Sequence, residues 1–193
     1  MVIGLTGGIG SGKSTVAKEF DKIGNIAIYF ADDEAKKLMS TSSIIKEQIC
    51  KEFGNEAYQD NQLNRAFIAK IAFADTKKLA VLNAIVHPEV YKHFKEFVQT
   101  NSDKNYVLYE NAILFENMSD VLCDKIITVV ADESIRIQRV VQRDDISEIE
   151  VKNRINNQWK DQKKELLSNY IITNNTSDKL LPQITRIHNN LTK

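Results

Sequence analysis

Apolar residues occur along the chain either in short unbroken runs or at intervals of three and four positions. The unbroken runs cover residues 2–6, 26–30, 106–110, 125–130 and 170–173. Runs of this length are typical of strands that are buried on both faces of a parallel sheet. The stretches between them have helical spacing, so the pattern predicts an α/β fold in which helices flank a parallel sheet.

The stretch between the second and third runs, residues 41–101, is predicted to be helical throughout. Ile45, Ile49 and Phe53 form an apolar stripe, and Pro88 stands where a new helix is expected to begin. A crossover between parallel strands needs only about a dozen residues. The excess predicts a small helical subdomain, which either forms the pocket for a second ligand or is structural padding.

The first apolar run leads directly into a glycine-rich segment, T-G-G-I-G-S-G-K-S-T. It matches G-x-x-x-x-G-K-[ST], with Gly7, Gly12, Lys13 and Ser14 at the defining positions. Glycines let backbone N–H groups wrap closely around phosphate oxygens. Lys13 would then reach the β- and γ-phosphates, and the Ser14 hydroxyl would ligate Mg²⁺. The segment therefore predicts a nucleoside triphosphate site, and a plain glycine-rich turn is the alternative.

The residues after this loop have the spacing of a helix. Val16, Phe20 and Ile23 would lie on one face, and Gly24 stands where a helix C-terminal glycine is expected. A strand, a glycine loop and a helix in this order are the setting that a phosphate loop requires.

The second run ends in Asp32, Asp33 and Glu34, at the expected start of a helix. These acids could simply complement the positive end of the helix dipole. Parallel sheets, however, bind ligands at the carboxyl ends of their strands, where the glycine loop also lies. We therefore expect at least one of the acids to face the ligand site.

A charged helical stretch runs from residue 133 to about residue 167. Within it Arg136, Arg139 and Arg143 recur at the spacing of one helix face. They form either a solvated face paired with nearby aspartates or a set of cations for phosphate charge.

Composition restricts the possible partners. The 193 residues contain 26 Lys and Arg against 26 Asp and Glu, so no overall charge favours nucleic acid or an anionic membrane. Cys50 and Cys123 have neither metal-site nor disulfide spacing, which favours reduced thiols in the cytoplasm. No apolar run approaches a membrane span and no signal peptide is evident, and no obligate protein partner is implied.

Taken in order, several segments resemble dephospho-coenzyme A kinase over nearly the whole chain. Besides the glycine loop, they are A-D at 31–32, L-N-A-I-V-H-P-E-V at 82–90, I-L-F-E at 113–116, R-V-V-Q-R-D at 139–144, R-I-N-N-Q at 154–158 and I-I-T-N-N at 171–175. The resemblance implies ATP-dependent phosphorylation of the ribose 3′-hydroxyl of dephospho-coenzyme A, which is the last step of coenzyme A synthesis. It also implies a single P-loop kinase domain with a three-layer α/β/α core.

The resemblance divides the chain into a core at 1–40, 102–135 and 168–193, a helical substrate subdomain at 41–101 and a helical lid at 136–167. The implied catalytic residues are Lys13, Asp32 and Arg139, with Asp32 beside the acceptor hydroxyl. The implied ATP contacts are Gly8, Gly10, Ser11, Gly12, Lys13, Ser14, Thr15, Arg143 and Asn175. The implied substrate contacts are Thr6, Asp32, Arg65 and His87.

Mg²⁺ would be held by Ser14 and Glu110, although Glu110 is equally well explained as a strand-end acid that faces solvent. Arg136 lies outside the motif, and we expect its replacement to be nearly silent.

Other functions fit the residues less well. A kinase for nucleoside monophosphates or another small alcohol would share the core and lid, but the L-N…H-P segment argues against it. A GTP-dependent switch needs D-x-x-G after a later strand, and the only match is at 21–24 inside the first predicted helix. A nucleic-acid motor is disfavoured by size and by the balanced charge.

Overall fold

The structure is a computed structural model, and it describes residues 1–60 and 62–193, apart from the side chains of 72–74 and 76. The chain forms two compact units. The first comprises Met1–Phe30 with Thr100–Lys193, and the second comprises Ala31–Gln99.

The strands are β1 (Val2–Thr6), β2 (Ala27–Phe30), β3 (Tyr58–Gln59), β4 (Gln62–Leu63), β5 (Val107–Glu110), β6 (Lys125–Val130) and β7 (Tyr170–Thr173). The helices are α1 (Lys13–Ile23), α2 (Ala31–Thr41), α3 (Ser43–Phe53), α4 (Arg65–Ala74), α5 (Thr76–Thr100), α6 (Glu133–Asp144), α7 (Glu148–Asn156), α8 (Asp161–Leu166) and α9 (Leu180–Leu191). Short 3₁₀ turns lie at Asn55–Ala57 and Ser119–Leu122.

The first unit is built on a parallel sheet with the strand order β2-β5-β1-β6-β7. Each predicted apolar run contributes one of these strands. The strands and their flanking helices α1 and α9 share one buried core, whose members include Ile3, Leu5, Val16, Phe20, Leu108, Ile127, Ile172 and Ile184. The predicted α/β fold with a parallel sheet is therefore confirmed.

The turn after α1 differs from the expectation for Gly24. Gly24 has an extended backbone (φ −144°) and not the left-handed conformation of a helix C-terminal glycine. A Cβ atom at this position would collide with the ring of His188 on α9. His188 also forms a 2.9 Å hydrogen bond through Nδ1 with the Tyr106 hydroxyl, whose pKa is raised by burial. The glycine is required by close packing of α9.

The second unit consists of α2 to α5 and the small hairpin of β3 and β4. Its core includes Ile45, Ile49, Phe53, Ala57, Ile68, Ile85 and Val86. The expectation that a helix begins at Pro88 is wrong, because Pro88 lies inside α5. Proline removes one helical hydrogen bond, but Ile85 and Val86 before it are buried in the core and Val90 after it packs against that core. Packing on both sides of Pro88 thus holds the helix together. No helix within the described ranges combines the length and apolarity needed to cross a membrane.

Candidate active site

The loop between β1 and α1 has the backbone geometry of a phosphate-binding loop. Gly7 and Gly12 have φ angles of 147° and 93°, which side-chain-bearing residues rarely adopt. A Cβ atom would also collide with the Val129 carbonyl at Gly7 and with the Asn174 side chain at Gly12. The glycines therefore allow both the backbone turn and the close approach of neighbouring strand ends, as a phosphate-binding loop needs.

The helix that follows this loop starts at a residue that cannot cap it. Gly12 precedes α1 in a left-handed conformation and has no side chain that could accept a hydrogen bond from the first turn. The first N–H groups of a helix and its dipole favour an anion at this position. Lys13 is 8% exposed and its Nζ lies 3.5 Å from the Gly8 carbonyl oxygen, so its ammonium group is folded back over the loop. Ser14 and Thr15 are exposed in the first turn.

Arg139 of α6 lies against the phosphate loop. Its guanidinium donates hydrogen bonds to the Asn174 carbonyl at 2.9 Å and to the Gly10 carbonyl at 3.4 Å. Asn174 in turn donates from Nδ2 to the Ser11 carbonyl at 2.7 Å and is buried. The structure thus brings Arg139 and the loop together, as the resemblance implies, and adds Asn174 to the site.

The resemblance implies an ATP contact at the neighbouring residue, Asn175. Its side-chain oxygen accepts a hydrogen bond from the Asp132 backbone at 2.8 Å, just before α6, and its own N–H donates to Asp178. Asn175 therefore orders the start of α6 while Asn174 contacts the loop. The signal for both residues was present in the asparagine pair directly after β7.

For Arg136 the solvated-face alternative is wrong, and its burial in an ion pair contradicts the expectation that its replacement is nearly silent. Arg136 is 6% exposed, pairs with Asp161 at 2.7 Å and donates from Nε to the Ile9 carbonyl at 2.9 Å. The Ile9 N–H donates to Gln158 Oε1 at 2.8 Å. Gln158 was visible in the R-I-N-N-Q segment, but nothing in that segment indicates what it contacts.

Arg143 matches the solvated alternative. Its side chain is 63% exposed and donates to Asp144 at 2.7 and 3.0 Å, and Arg154 donates to the same carboxylate at 2.9 Å. Hydrogen bonding and charge from these arginines hold the pKa of Asp144 below its usual value. The three arginines of one predicted face thus have different surroundings. Arg136 is a buried ion-pair partner beside the loop, Arg139 contacts loop carbonyls, and Arg143 is exposed.

Glu110 ends β5 beside the phosphate-loop strand, opposite Leu5 in the sheet register. It is only 6% exposed, so the alternative of a solvent-facing acid is wrong. Thr6, the last residue of β1, is fully buried and its hydroxyl lies 3.5 Å from the Ala112 carbonyl oxygen.

Residues of the segment after β5 contact Trp159. The indole ring stacks on Phe115 with ring centroids 6.2 Å apart, and the Trp159 backbone N–H donates to Glu116 at 2.9 Å. Glu116 also pairs with the buried ammonium of Lys164 at 2.8 Å. Trp159 therefore packs against the I-L-F-E segment, and the Lys163 ammonium lies over its ring.

The remaining predicted site residues lie in the helical unit. Asp32 is exposed in the first turn of α2, Arg65 is exposed at the first position of α4, and His87 is exposed within α5. All three side chains are therefore accessible from solvent.

The side-chain oxygen atoms near the loop are of the kind that binds Mg²⁺. Within the described residues, no group of three or more His, Cys, Asp or Glu side chains forms a metal site. Magnesium is commonly held by one or two protein oxygens together with substrate phosphates and water. The exposed Ser14 hydroxyl and the Glu110 carboxylate supply oxygen donors of this kind.

Comparisons with known proteins identify relatives of this chain. The chain is 33% identical over 185 residues to a dephospho-CoA kinase of Bacteroides fragilis, covering 96% of this chain and 90% of the relative. It is 35% identical over 178 residues to a dephospho-CoA kinase of Fusobacterium nucleatum, covering 92% and 91%.

Solved structures share the fold. TT1252 from Thermus thermophilus superposes with a TM-score of 0.89 at 28% identity, covering 100% of this chain and 98% of that one. A dephospho-CoA kinase from Campylobacter jejuni gives a TM-score of 0.73 at 21% identity, covering 99% and 96%. The family model described as dephospho-CoA kinase matches residues 1–179. The chain therefore belongs to the dephospho-CoA kinase family, which uses ATP to phosphorylate dephospho-CoA to CoA in the final step of CoA biosynthesis.

Proposed function

We propose that the protein transfers the γ-phosphoryl group of ATP to the ribose 3′-hydroxyl of dephospho-CoA, and that the loop from Gly7 to Ser14 binds the ATP phosphates. The observation that carries this proposal is the geometry of the loop. Its glycines bring backbone N–H groups and the open end of α1 to one place, and the Lys13 ammonium is folded over them. Such an arrangement stabilises concentrated negative charge.

The catalytic roles follow from charge and position. Lys13 neutralises phosphate charge, and Arg139 stabilises the charge that spreads over the transferred group. Asp32 lies two residues after the end of β2. Because β1 and β2 run in the same direction, their carboxyl ends lie on the same side of the sheet, and the phosphate loop follows β1 there. We assign to Asp32 the role of accepting or orienting the proton of the acceptor hydroxyl, as a carboxylate can.

Ser14 and Glu110 would hold Mg²⁺, with Ser14 as a direct ligand and Glu110 acting through water. The ion supplies neutralisation of charge on the β- and γ-phosphates. Ser14 provides its oxygen from the first turn of α1, and Glu110 from the end of the adjacent strand β5.

The other predicted contacts remain part of the proposal. Beyond the loop itself, ATP would be contacted by Thr15, Arg143 and Asn175, and dephospho-CoA by Thr6, Arg65 and His87. Residues 41–101 would form the substrate subdomain and 136–167 the lid. A cytoplasmic location is supported by the free thiols of Cys50 and Cys123. The proposal includes no obligate protein partner.

The acceptor is tested by measuring ADP release from ATP and Mg²⁺ with a panel of hydroxyl compounds. We expect strong stimulation by dephospho-CoA, and none above background by AMP, by shikimate or by a dephospho-CoA analogue without the 3′-hydroxyl. Stimulation by AMP but not by dephospho-CoA would show that the protein is a nucleoside monophosphate kinase. Turnover of the 3′-deoxy analogue would exclude the 3′-hydroxyl as the acceptor.

Replacement of Glu110 by glutamine tests the magnesium site. Loss of a group that orders a metal through water typically lowers metal affinity by about 10–100-fold. We therefore expect the Mg²⁺ concentration for half-maximal velocity to rise by about tenfold or more, while saturating Mg²⁺ restores most of the velocity. Glu19→Gln on α1 is the control, because Glu19 pairs with Lys22 at the surface. Superimposable Mg²⁺ titrations of the two variants would leave Glu110 a purely structural residue.

A further inference from the structure

The two peptide groups on either side of the Ile9 Cα atom are each held by a residue far away in the sequence. The Ile9 N–H donates to Gln158 Oε1 at 2.8 Å, and the Ile9 carbonyl accepts from Arg136 Nε at 2.9 Å. Ile9 lies in the middle of the loop, between Gly8 and Gly10. Holding both the donor and the acceptor side leaves this part of the loop little freedom to rotate.

Arg136 is itself fixed in place. Its NH1 atom donates to Asp161 Oδ2 at 2.7 Å, and the side chains of this pair are 7% and 15% exposed. The loop packs directly on it, because a Cβ atom at Gly8 would collide with its guanidinium and one at Gly10 would lie 2.5 Å from its carbonyl oxygen. Because the Arg136 charge is already balanced by Asp161, this residue is suited to orienting the loop and less suited to neutralising phosphate.

The segment that carries Gln158 and Asp161 is anchored by the packing of Trp159. The indole ring stacks on Phe115, and the backbone N–H of Trp159 donates to Glu116, which is paired with Lys164. The Lys164 side chain is fully buried and also donates to the Ala112 carbonyl at 2.8 Å. Gln158 is thus presented to the loop from a well-supported element.

We propose that Gln158 and Arg136 are positioning residues that fix the two peptide groups flanking Ile9, so that the neighbouring N–H groups of the loop point at the ATP phosphates before ATP arrives. The proposal rests on the assignment of the loop as the ATP phosphate site. Small misplacements of binding groups have large effects, since a shift of about 1 Å can cost on the order of 10²-fold. A loop held by hydrogen bonds to two successive peptide groups would bind ATP without first having to be ordered.

The test is Gln158→Met, which keeps the length of the side chain and removes the hydrogen-bond acceptor. Equilibrium binding of ATP and of dephospho-CoA is measured separately by calorimetry. We expect the Kd for ATP to rise on the order of tenfold, the effect of leaving one N–H without its partner, while the Kd for dephospho-CoA changes less than about twofold. Asn190→Leu is the matched control, because it also replaces a side-chain amide with an apolar group of similar size, at an exposed position of α9 outside the proposed lid. It should bind both ligands like the unmodified protein.

Two readouts separate positioning from a general loss of structure. Trp159 is the only tryptophan, so unchanged tryptophan emission in Gln158→Met shows that the anchored segment is still in place. Equal weakening of both ligands, or ATP binding as tight as in the control, would overturn the proposal. If the unmodified protein itself fails to bind ATP, the assignment of the loop is at fault, and that outcome is distinct from a failure of the positioning role.

Discussion

Replacing Arg139 with alanine is expected to lower kcat by about 10³–10⁵-fold, the range measured for arginines that stabilise a phosphoryl group during transfer. The guanidinium already lies at the Gly10 carbonyl of the phosphate loop. In the described part of the chain, the recorded partners of Arg139 are neutral carbonyl oxygens, so no carboxylate offsets its charge. An interaction that strengthens in the transition state affects kcat more than ground-state binding. The affinity for ATP should therefore change only modestly.

The control for this experiment is Arg186→Ala, since Arg186 is exposed on α9 of the same unit. Steady-state kinetics with varied ATP separate kcat from KM in both variants. If kcat falls by the same small factor in both variants, Arg139 only holds the loop and the end of β7 in place. Arg136 is not suitable as the comparison, because removing one partner of a buried ion pair costs about 3–5 kcal/mol of folding stability.

The sequence predicted the sheet and the phosphate loop because both depend on local patterns. The runs that became β6 and β7 were predicted with their observed ends, since an unbroken apolar run of that length fits a strand buried on both faces. The glycine positions of the loop follow from the backbone angles that phosphate binding requires. Such features need no knowledge of distant residues.

The surroundings of individual side chains were harder to predict because they depend on partners distant in the sequence. Helical spacing put Arg136, Arg139 and Arg143 on one face, but only the fold brings Asp161 and the Ile9 carbonyl to the first of them. Pro88 was misread for a related reason, since core packing on both sides of it outweighs the one lost hydrogen bond.

The sequence contains a signal for which of the two asparagines, Asn174 or Asn175, contacts the loop. Side chains alternate along a strand, and Ile172 of β7 is fully buried. Continuing that alternation by two residues gives Asn174, which is the asparagine that turns inward and bonds to Ser11.

Asp32→Asn is expected to lower kcat by about 10²–10⁴-fold, the usual contribution of a general base, while ATP binding persists. The amide keeps the size of the side chain but cannot take a proton from the acceptor hydroxyl. Asp32 is exposed in the first turn of α2 and free to meet a substrate from solvent. Its competing role is to complement the helix dipole, which is worth only about 0.3–1 kcal/mol.

Asp33→Asn separates the two roles, because Asp33 lies in the same turn of α2 and pairs at the surface with Lys36. Both substitutions remove one negative charge from the start of the helix, so both should lower the melting temperature by a similar small amount. Only Asp32→Asn should lose turnover, measured as ADP release at saturating ATP and dephospho-CoA. If the two variants turn over at comparable rates, Asp32 acts on the helix and not on the acceptor, and the proton of the ribose hydroxyl must go to another group.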